Sequence, residues 1–358
     1  MYRSLQASRA IAATLVVLYH LGLYMANTDY FGIEAFSVPF AFGSAGVEFF
    51  FVLSGFIILS AHRNDIFQPR KLAGYIKKRL VRIYPTYWII FLPVFLLAIA
   101  SASLQHTVPH DIFVIVKSLL LVPQNKAVVG GTGAPVLAVA WTLQYEMFFY
   151  LFFAFMILSR WLSIIFAVAI LYNYTVVQSH TFPFSFLSQD YILLFAMGMI
   201  VSLACTSKKT IVSRPLFYVN TGAVMFLCVA LDTVADIGSL EKWSTILYGL
   251  SSCLMIFGLV RGEDAGRVVF GGRRMQLLGD SSYALYLIHL PLMSLVCKLS
   301  LLTPMDKLGI PGAMLFYCVI LSLCLLGSVA FHLRIEKPVT AFLRKRRTDS
   351  GAPFVKAA

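Results

Sequence analysis

"SRAIAATLVVLYH" occupies Ser8 to His20. The stretch is apolar enough to enter lipid, yet it carries Arg9 near its start and ends on His20. Hydrocarbon solvates neither group, so ionisable residues in a spanning helix usually face the interior of a bundle. Arg9 and His20 are eleven residues apart. At roughly 100° per residue this is three full turns plus about 20°, so both side chains lie on one helical face. Along the axis they are about 16 Å apart. Taken singly they read as a snorkelling arginine and a packed histidine. On one face they suit an elongated substrate, with an anionic end at one mouth and a reactive end deep in the helix bundle.

The rest of the chain fits that setting. Of 358 residues, 59% are apolar and 13% are charged, and the mean hydropathy is +0.82. Soluble domains carry about 25% charged residues. The sequence therefore predicts an all-α integral membrane protein. Apolar runs near the ~20 residues that a crossing requires fall at 9–25, 42–61, 83–101, 137–158, 162–178, 187–204, 215–231, 244–260, 279–299 and 312–333. Ten crossings put both termini on one side. With the N-terminus inside, 24 of the 29 Lys and Arg residues lie on the inner side, which predicts cytoplasmic termini. The same bias accounts for the net charge of +13, and no nucleic-acid partner is expected.

The shorter apolar segment 111–122 is expected at an interface. "RKLAGYIKKRLVRIYP" (Arg70–Pro85) reads as an amphipathic helix on the inner leaflet, with Pro85 in the first turn of the third span. Residues 1–340 form one transmembrane domain, and 341–358 read as a flexible basic tail. No internal repeat is evident. The first span carries Arg9 and His20 and lacks a clear small-residue cleavage site, so it is not expected to be a signal peptide. The cysteines lie scattered in apolar runs, with no metal-binding spacing, and read as packing residues.

Few other ionisable groups enter the spans. "GSAGVEFFFVLSGFI" (Gly43–Ile57) places Glu48 at a depth like that of His20, where a carboxylate could accept the imidazole N–H and fix its tautomer. Ser54 and Gly55 allow close approach of a helix or ligand. Arg79 and Arg82 share a helical face and could clamp phosphates, or simply mark the inner side. Glu146, among aromatic residues, could contact an acceptor hydroxyl or hold a polar neighbour. Trp141 reads as an interfacial anchor or a substrate contact. Ser282, Tyr286 and His289 form a polar stripe at helical spacing, for substrate binding or as satisfied core groups.

Together these stretches resemble the membrane acyltransferase-3 family, especially its single-domain exopolysaccharide acetyltransferases. The likeness covers about 3–340: Arg9 and His20 at their spacing, "GVEFFFVLSGF" (Gly46–Phe56), "RLVRIYPTYW" (Arg79–Trp88), "WTLQYE" (Trp141–Glu146) and the region of "LGDSSYALYLIHLPL". Glu48 departs from the aspartate common at that place. The resemblance implies an enzyme of the bacterial inner membrane that moves an acyl group, usually acetyl, from acyl-CoA to a sugar hydroxyl. The acceptor would be an exported glycan or its lipid-linked oligosaccharide precursor. It implies His20 as the essential histidine, acting as general base on the acceptor hydroxyl or accepting the acyl group itself, and Arg9, Arg79 and Arg82 as the cytoplasmic acyl-CoA site. Glu48 would orient His20, and Glu146, Trp141, Tyr286 and His289 would meet substrate. Acetyl-CoA is the co-substrate, with no permanent cofactor and no metal. Besides acyl-CoA and glycan, the expected partners are membrane lipids. Two rival readings are a polysaccharide-precursor transporter and a non-catalytic subunit of an export complex.

Overall fold

Backbone polar groups in lipid must bond within their own segment, so long apolar runs fold as helices. A computed structural model describes residues 2–100, 109, 111–206, 214–300 and 309–349. The described residues are all-helical and contain no strand. In chain order the α-helices are α1 (Arg3–Ala26), α2 (Gly46–His62), α3 (Leu72–Ala100), α4 (Ile112–Leu119), α5 (Lys126–Val129), α6 (Trp141–Leu158), α7 (Arg160–Tyr172) and α8 (Phe184–Leu187). They continue as α9 (Tyr191–Thr206), α10 (Pro215–Val234), α11 (Ser244–Asp264), α12 (Arg273–Asp280), α13 (Ser282–Ser300), α14 (Gly309–Phe331) and α15 (Lys337–Asp349). Among them ten segments are long and apolar enough to cross a membrane, in the places the sequence predicts.

Two large apolar cores, with a small third one around Ala45, Val229 and Tyr248, fill the bundle. One gathers Phe51 of α2, Tyr87 and Phe91 of α3, Phe149 and Phe153 of α6, and Phe195 of α9. The other joins Val17 and Leu21 of α1 to Met293 of α13 and Phe316 and Ile320 of α14. The tightest approach is between α2 and α9. A Cβ on Gly55 would lie 2.1 Å from the Phe195 carbonyl oxygen, and one on Gly198 would lie 1.9 Å from that of Val52. Only glycine permits this crossing, which uses small residues as membrane helix pairs do.

At the end of the bundle where α1 begins, the chain closes on itself. The backbone N–H groups of Arg3 and Ser4 both donate to the Glu263 carboxylate at 2.8 Å. That carboxylate satisfies donors that a helix start leaves unpaired, and its charge suits the helix dipole. The Tyr2 hydroxyl donates to Asp264 at 3.0 Å. Burial and the adjacent Asp264 carboxylate push that phenol up to about 12.

Two expectations change. Pro85 does not start a span: α3 runs unbroken for 29 residues, with Pro85 and Pro93 inside it. The basic stretch is accordingly not a separate surface helix. Tyr75 is buried and donates to the Tyr150 carbonyl at 3.2 Å, so tertiary packing carries the helix through the proline. Ile76 and Leu80, on other positions of the same stretch, are exposed. The second change is at the C-terminus. A π-helical turn, His332–Glu336, joins α14 to α15, so 341–349 of the expected flexible tail is helical. Residues 350–358 lie outside the described residues.

The segment 111–122 contains α4, and it docks on α3. Tyr84, Tyr87 and Trp88 donate to the carbonyls of Leu120, Ser118 and Leu119. Ile112, Phe113 and Val116 remain exposed, as suits a helix resting in lipid.

Candidate active site

A cavity of about 430 Å3 lies among α1, α2, α3, α6 and α13. At the end where α1 begins it is lined by Gln6, Arg9, Asp280, His332 and Arg344, and farther in by Phe50, Phe51, Ser54, Thr142 and Tyr286. Arg79, Arg82, Glu146, Tyr150, Ser282 and Tyr283 form walls between these levels.

The cations are held by rings and hydrogen bonds. The Arg79 guanidinium lies 5.5 Å from the Tyr75 ring centre and 5.4 Å from that of Tyr150. Such contacts orient a guanidinium and leave its N–H groups available. Arg79 Nε is buried without a hydrogen-bond partner among the described residues. Arg82 lies over Tyr283 at 5.4 Å, and its Nη1 is 3.9 Å from Glu336 Oε1. The other Glu336 oxygen is 2.8 Å from His332 Nδ1. Arg9 donates to Gln6 at 3.2 Å, and Gln6 in turn donates to Asp280. Glu146 accepts the Tyr150 hydroxyl hydrogen, so it holds a polar neighbour on the cavity wall.

Ser282 Oγ is also buried and unpaired. Buried polar groups normally have partners. Two orphans on one cavity wall, Arg79 Nε and Ser282 Oγ, suit a polar ligand there.

His20 does not line this cavity. From the cavity wall, Tyr286 leads to His289, with ring centres 5.8 Å apart, and His289 leads to His20 at 5.0 Å. His20 Nδ1 is 2.9 Å from the Val16 carbonyl oxygen and 3.4 Å from His289 Nε2. His289 Nδ1 is 3.1 Å from the Leu285 carbonyl oxygen. A carbonyl only accepts, so both Nδ1 atoms carry hydrogen. His289 Nε2 then holds a lone pair towards His20 Nδ1–H. This tautomer leaves His20 Nε2 without a proton. His289 is wholly buried, whereas His20 is partly exposed. The pair therefore couples a locked support to an accessible nitrogen.

Arg9 and His20 do share the face of α1 turned to α12 and α13, as their spacing predicts. The partner expected for His20 was Glu48, and there the structure differs. Glu48 is buried on the first turn of α2, its Oε2 unpaired, and it makes no hydrogen bond to His20 among the described residues. Residue counting sets depth, but the packing of α1 on α13 puts His289 rather than Glu48 at that ring. Trp141 packs on Phe51, Tyr145 and Tyr191 and lines no part of the cavity. Ser54 and Tyr286 do line it, and the Tyr286 hydroxyl is 3.0 Å from Thr142 Oγ1. Sequence reading missed Gln6, Tyr150, Tyr283, His332, Glu336 and Arg344. For His332 and Glu336 a signal existed: an acid and an imidazole at i, i+4 beside an apolar run.

Comparison with known proteins gives the family of the chain. A family profile described as "Acyltransferase domain" matches residues 2–333. The exopolysaccharide production protein ExoZ of Rhizobium meliloti (strain 1021) is 30% identical, over 87% of this chain and 94% of its own length. The putative peptidoglycan O-acetyltransferase YrhL of Bacillus subtilis (strain 168) is 22% identical over 94% of this chain, which spans 54% of that protein. No solved structure matches the chain.

Proposed function

This chain belongs to the membrane acyltransferase-3 family, and we propose that it transfers an acetyl group from acetyl-CoA to a sugar hydroxyl of an exported polysaccharide or its lipid-linked precursor. It is a multi-pass membrane acyltransferase. In this reading the end of the bundle that carries Arg9, Arg79, Arg82 and Arg344 faces the cytoplasm of the bacterial inner membrane. These guanidinium groups receive the CoA phosphates, which they can bind in forked, charge-assisted pairs. The pantetheine arm follows the cavity past Ser282 towards Tyr286, and the thioester meets His20 beyond.

The observation that carries the reading is the His20–His289 pair, reached through Tyr286 beyond the far wall of a cavity whose near end holds arginines. His20 Nε2 takes the proton of the acceptor hydroxyl, and the oxygen attacks the thioester carbonyl. The C–S bond then breaks. The departing thiolate takes the proton back from the imidazolium, leaving CoA, the acetyl ester and neutral His20. The Val16 carbonyl at 2.9 Å and His289 Nε2 at 3.4 Å share the Nδ1–H, and together they hold the ring and its tautomer, the role a carboxylate plays in a catalytic triad. Glu48, buried one turn before Phe51, is kept as an electrostatic neighbour of the site rather than as the orienter.

The test is release of free CoA thiol by the purified protein, given acetyl-CoA and de-O-acetylated oligosaccharide. Acetyl ester should appear on the sugar in step with thiol. His20→Ala should stop both while the protein stays folded by melting temperature. Ester formation at the normal rate in that variant would refute the role of His20.

A further inference from the structure

A second cavity, of about 660 Å3, lies at the opposite end of the bundle from the arginines. It is built by the segment leading into α6 and the segment joining α7 to α9, and takes in Gln124, Gln178, Gln189, Asp190, Tyr145 and Phe186. Its size is within the range of small-ligand sites, about 300–1,000 Å3.

The lining chemistry is specific. Tyr145 and Phe186 stack on each other with ring centres 4.0 Å apart, giving the cavity an apolar aromatic border. Three of the lining carboxamides, Gln124, Gln178 and Gln189, each tie N–H groups to the protein. Gln124 donates to Ser118 Oγ at 3.0 Å, Gln189 to the Ser185 carbonyl at 3.2 Å, and Gln178 to the Thr175 carbonyl at 3.5 Å. Their side-chain carbonyl oxygens accept nothing among the described residues. Asp190 takes the Tyr174 hydroxyl on one oxygen at 2.6 Å, and its other oxygen is likewise unpaired. Asn173 braces the segment through the Phe184 carbonyl at 3.0 Å and Ser188 Oγ at 2.9 Å. An aromatic border with several unpaired acceptors in one cavity matches a sugar ring, which offers apolar C–H groups and a rim of hydroxyl donors. A lipid chain would offer those acceptors no donor.

The position also fits. Helix α6 separates the two cavities: Thr142, Leu143 and Glu146 line the first, and Tyr145 lines the second. Tyr145 and Trp141 pack with Tyr191 and Phe51, one turn beyond Glu48. We infer that this far-end cavity is a saccharide subsite that grips the acceptor chain next to the reacting sugar. The inference rests on the acyltransferase reading for which sugar binds, and adds where it binds.

The experiment titrates de-O-acetylated oligosaccharide of the host's surface polysaccharide into the purified full-length protein in nanodiscs, without acyl-CoA. Binding is followed by calorimetry for wild type, Gln189→Ala and Asp190→Asn; asparagine keeps an acceptor for Tyr174. Each variant should bind about tenfold more weakly, the scale of a lost hydrogen bond to a hydroxyl. Acceptor-free CoA release should not change. Equal affinity in the variants, or no binding by wild type, overturns the subsite. So does loss of sugar binding when soluble short-chain phospholipid is added, which would make the cavity a lipid groove. CoA release in wild type, measured alongside, judges the acyltransferase reading separately.

Discussion

His20 and His289 show what a single residue's reading can and cannot carry. The spacing from Arg9 puts His20 on the inward face of α1, because helical period is a local property. Its partner is not local. Glu48 and His289 have similar claims by depth, and only the contact of α1 with α13 decides between them. The proposed support role predicts a graded response. His289→Ala should lower kcat by about 10²–10⁴, the range for disturbing general-base catalysis, with the KM for acetyl-CoA little changed. His289→Gln sets a carbonyl oxygen near the place of Nε2 and should recover much of that loss. Equal kcat in the two variants would reduce His289 to packing. Arg79 makes the opposite split. Arg79→Ala removes charge-assisted hydrogen bonds worth about 1.5–3 kcal/mol, so the KM for acetyl-CoA should rise about ten- to a hundredfold. Initial-rate kinetics over acetyl-CoA concentration measure both.

At the scale of elements, the apolar runs were legible and their joints were not. Ten spans could be read from hydropathy because lipid enforces helix over each run. Pro85 misled because its cost is local, whereas the burial of Tyr75, Ile83 and Tyr87 along α3 is a tertiary gain. Composition reads 341–358 as a loose basic tail, whereas a turn at His332–Glu336 continues α14 into α15. In the structure it brings Glu336 to Arg82 and Arg344 to the cavity. π-Helical turns occur often at functional sites, and this one sets both residues. Glu336→Gln should therefore raise the KM for acetyl-CoA in the same sense as Arg82→Ala, with kcat less affected. The α2–α9 crossing yields a stability prediction. Gly198→Ala forces a methyl against the Val52 carbonyl, and overpacking of this kind costs about 1–3 kcal/mol. The melting temperature of the detergent-solubilised protein should fall, and an unchanged value would mean the crossing relaxes freely.

For the whole molecule, charge distribution is the sequence signal that bears on orientation, since it concerns sums rather than contacts. The proposal sets the arginine-lined mouth in the cytoplasm and the far-end cavity outside, so donor and acceptor reach His20 from opposite sides. A C-terminal green fluorescent protein fusion should then fluoresce, and an alkaline phosphatase fusion at the same place should stay inactive. The second cavity was not legible at all. Its residues come from the segments before α6 and between α7 and α9, which share no periodicity, and they meet only when α6 and α7 pack.

The most direct measurement is the O-acetyl content of the host's surface polysaccharide by NMR. It needs wild type, a deletion strain, and the deletion complemented with His20→Ala at matched membrane level. The account predicts that acetate signals vanish in both altered strains while polysaccharide is still exported. Full acetylation in the His20→Ala strain, or intact acetylation of a smaller exported amount in the deletion, would contradict it.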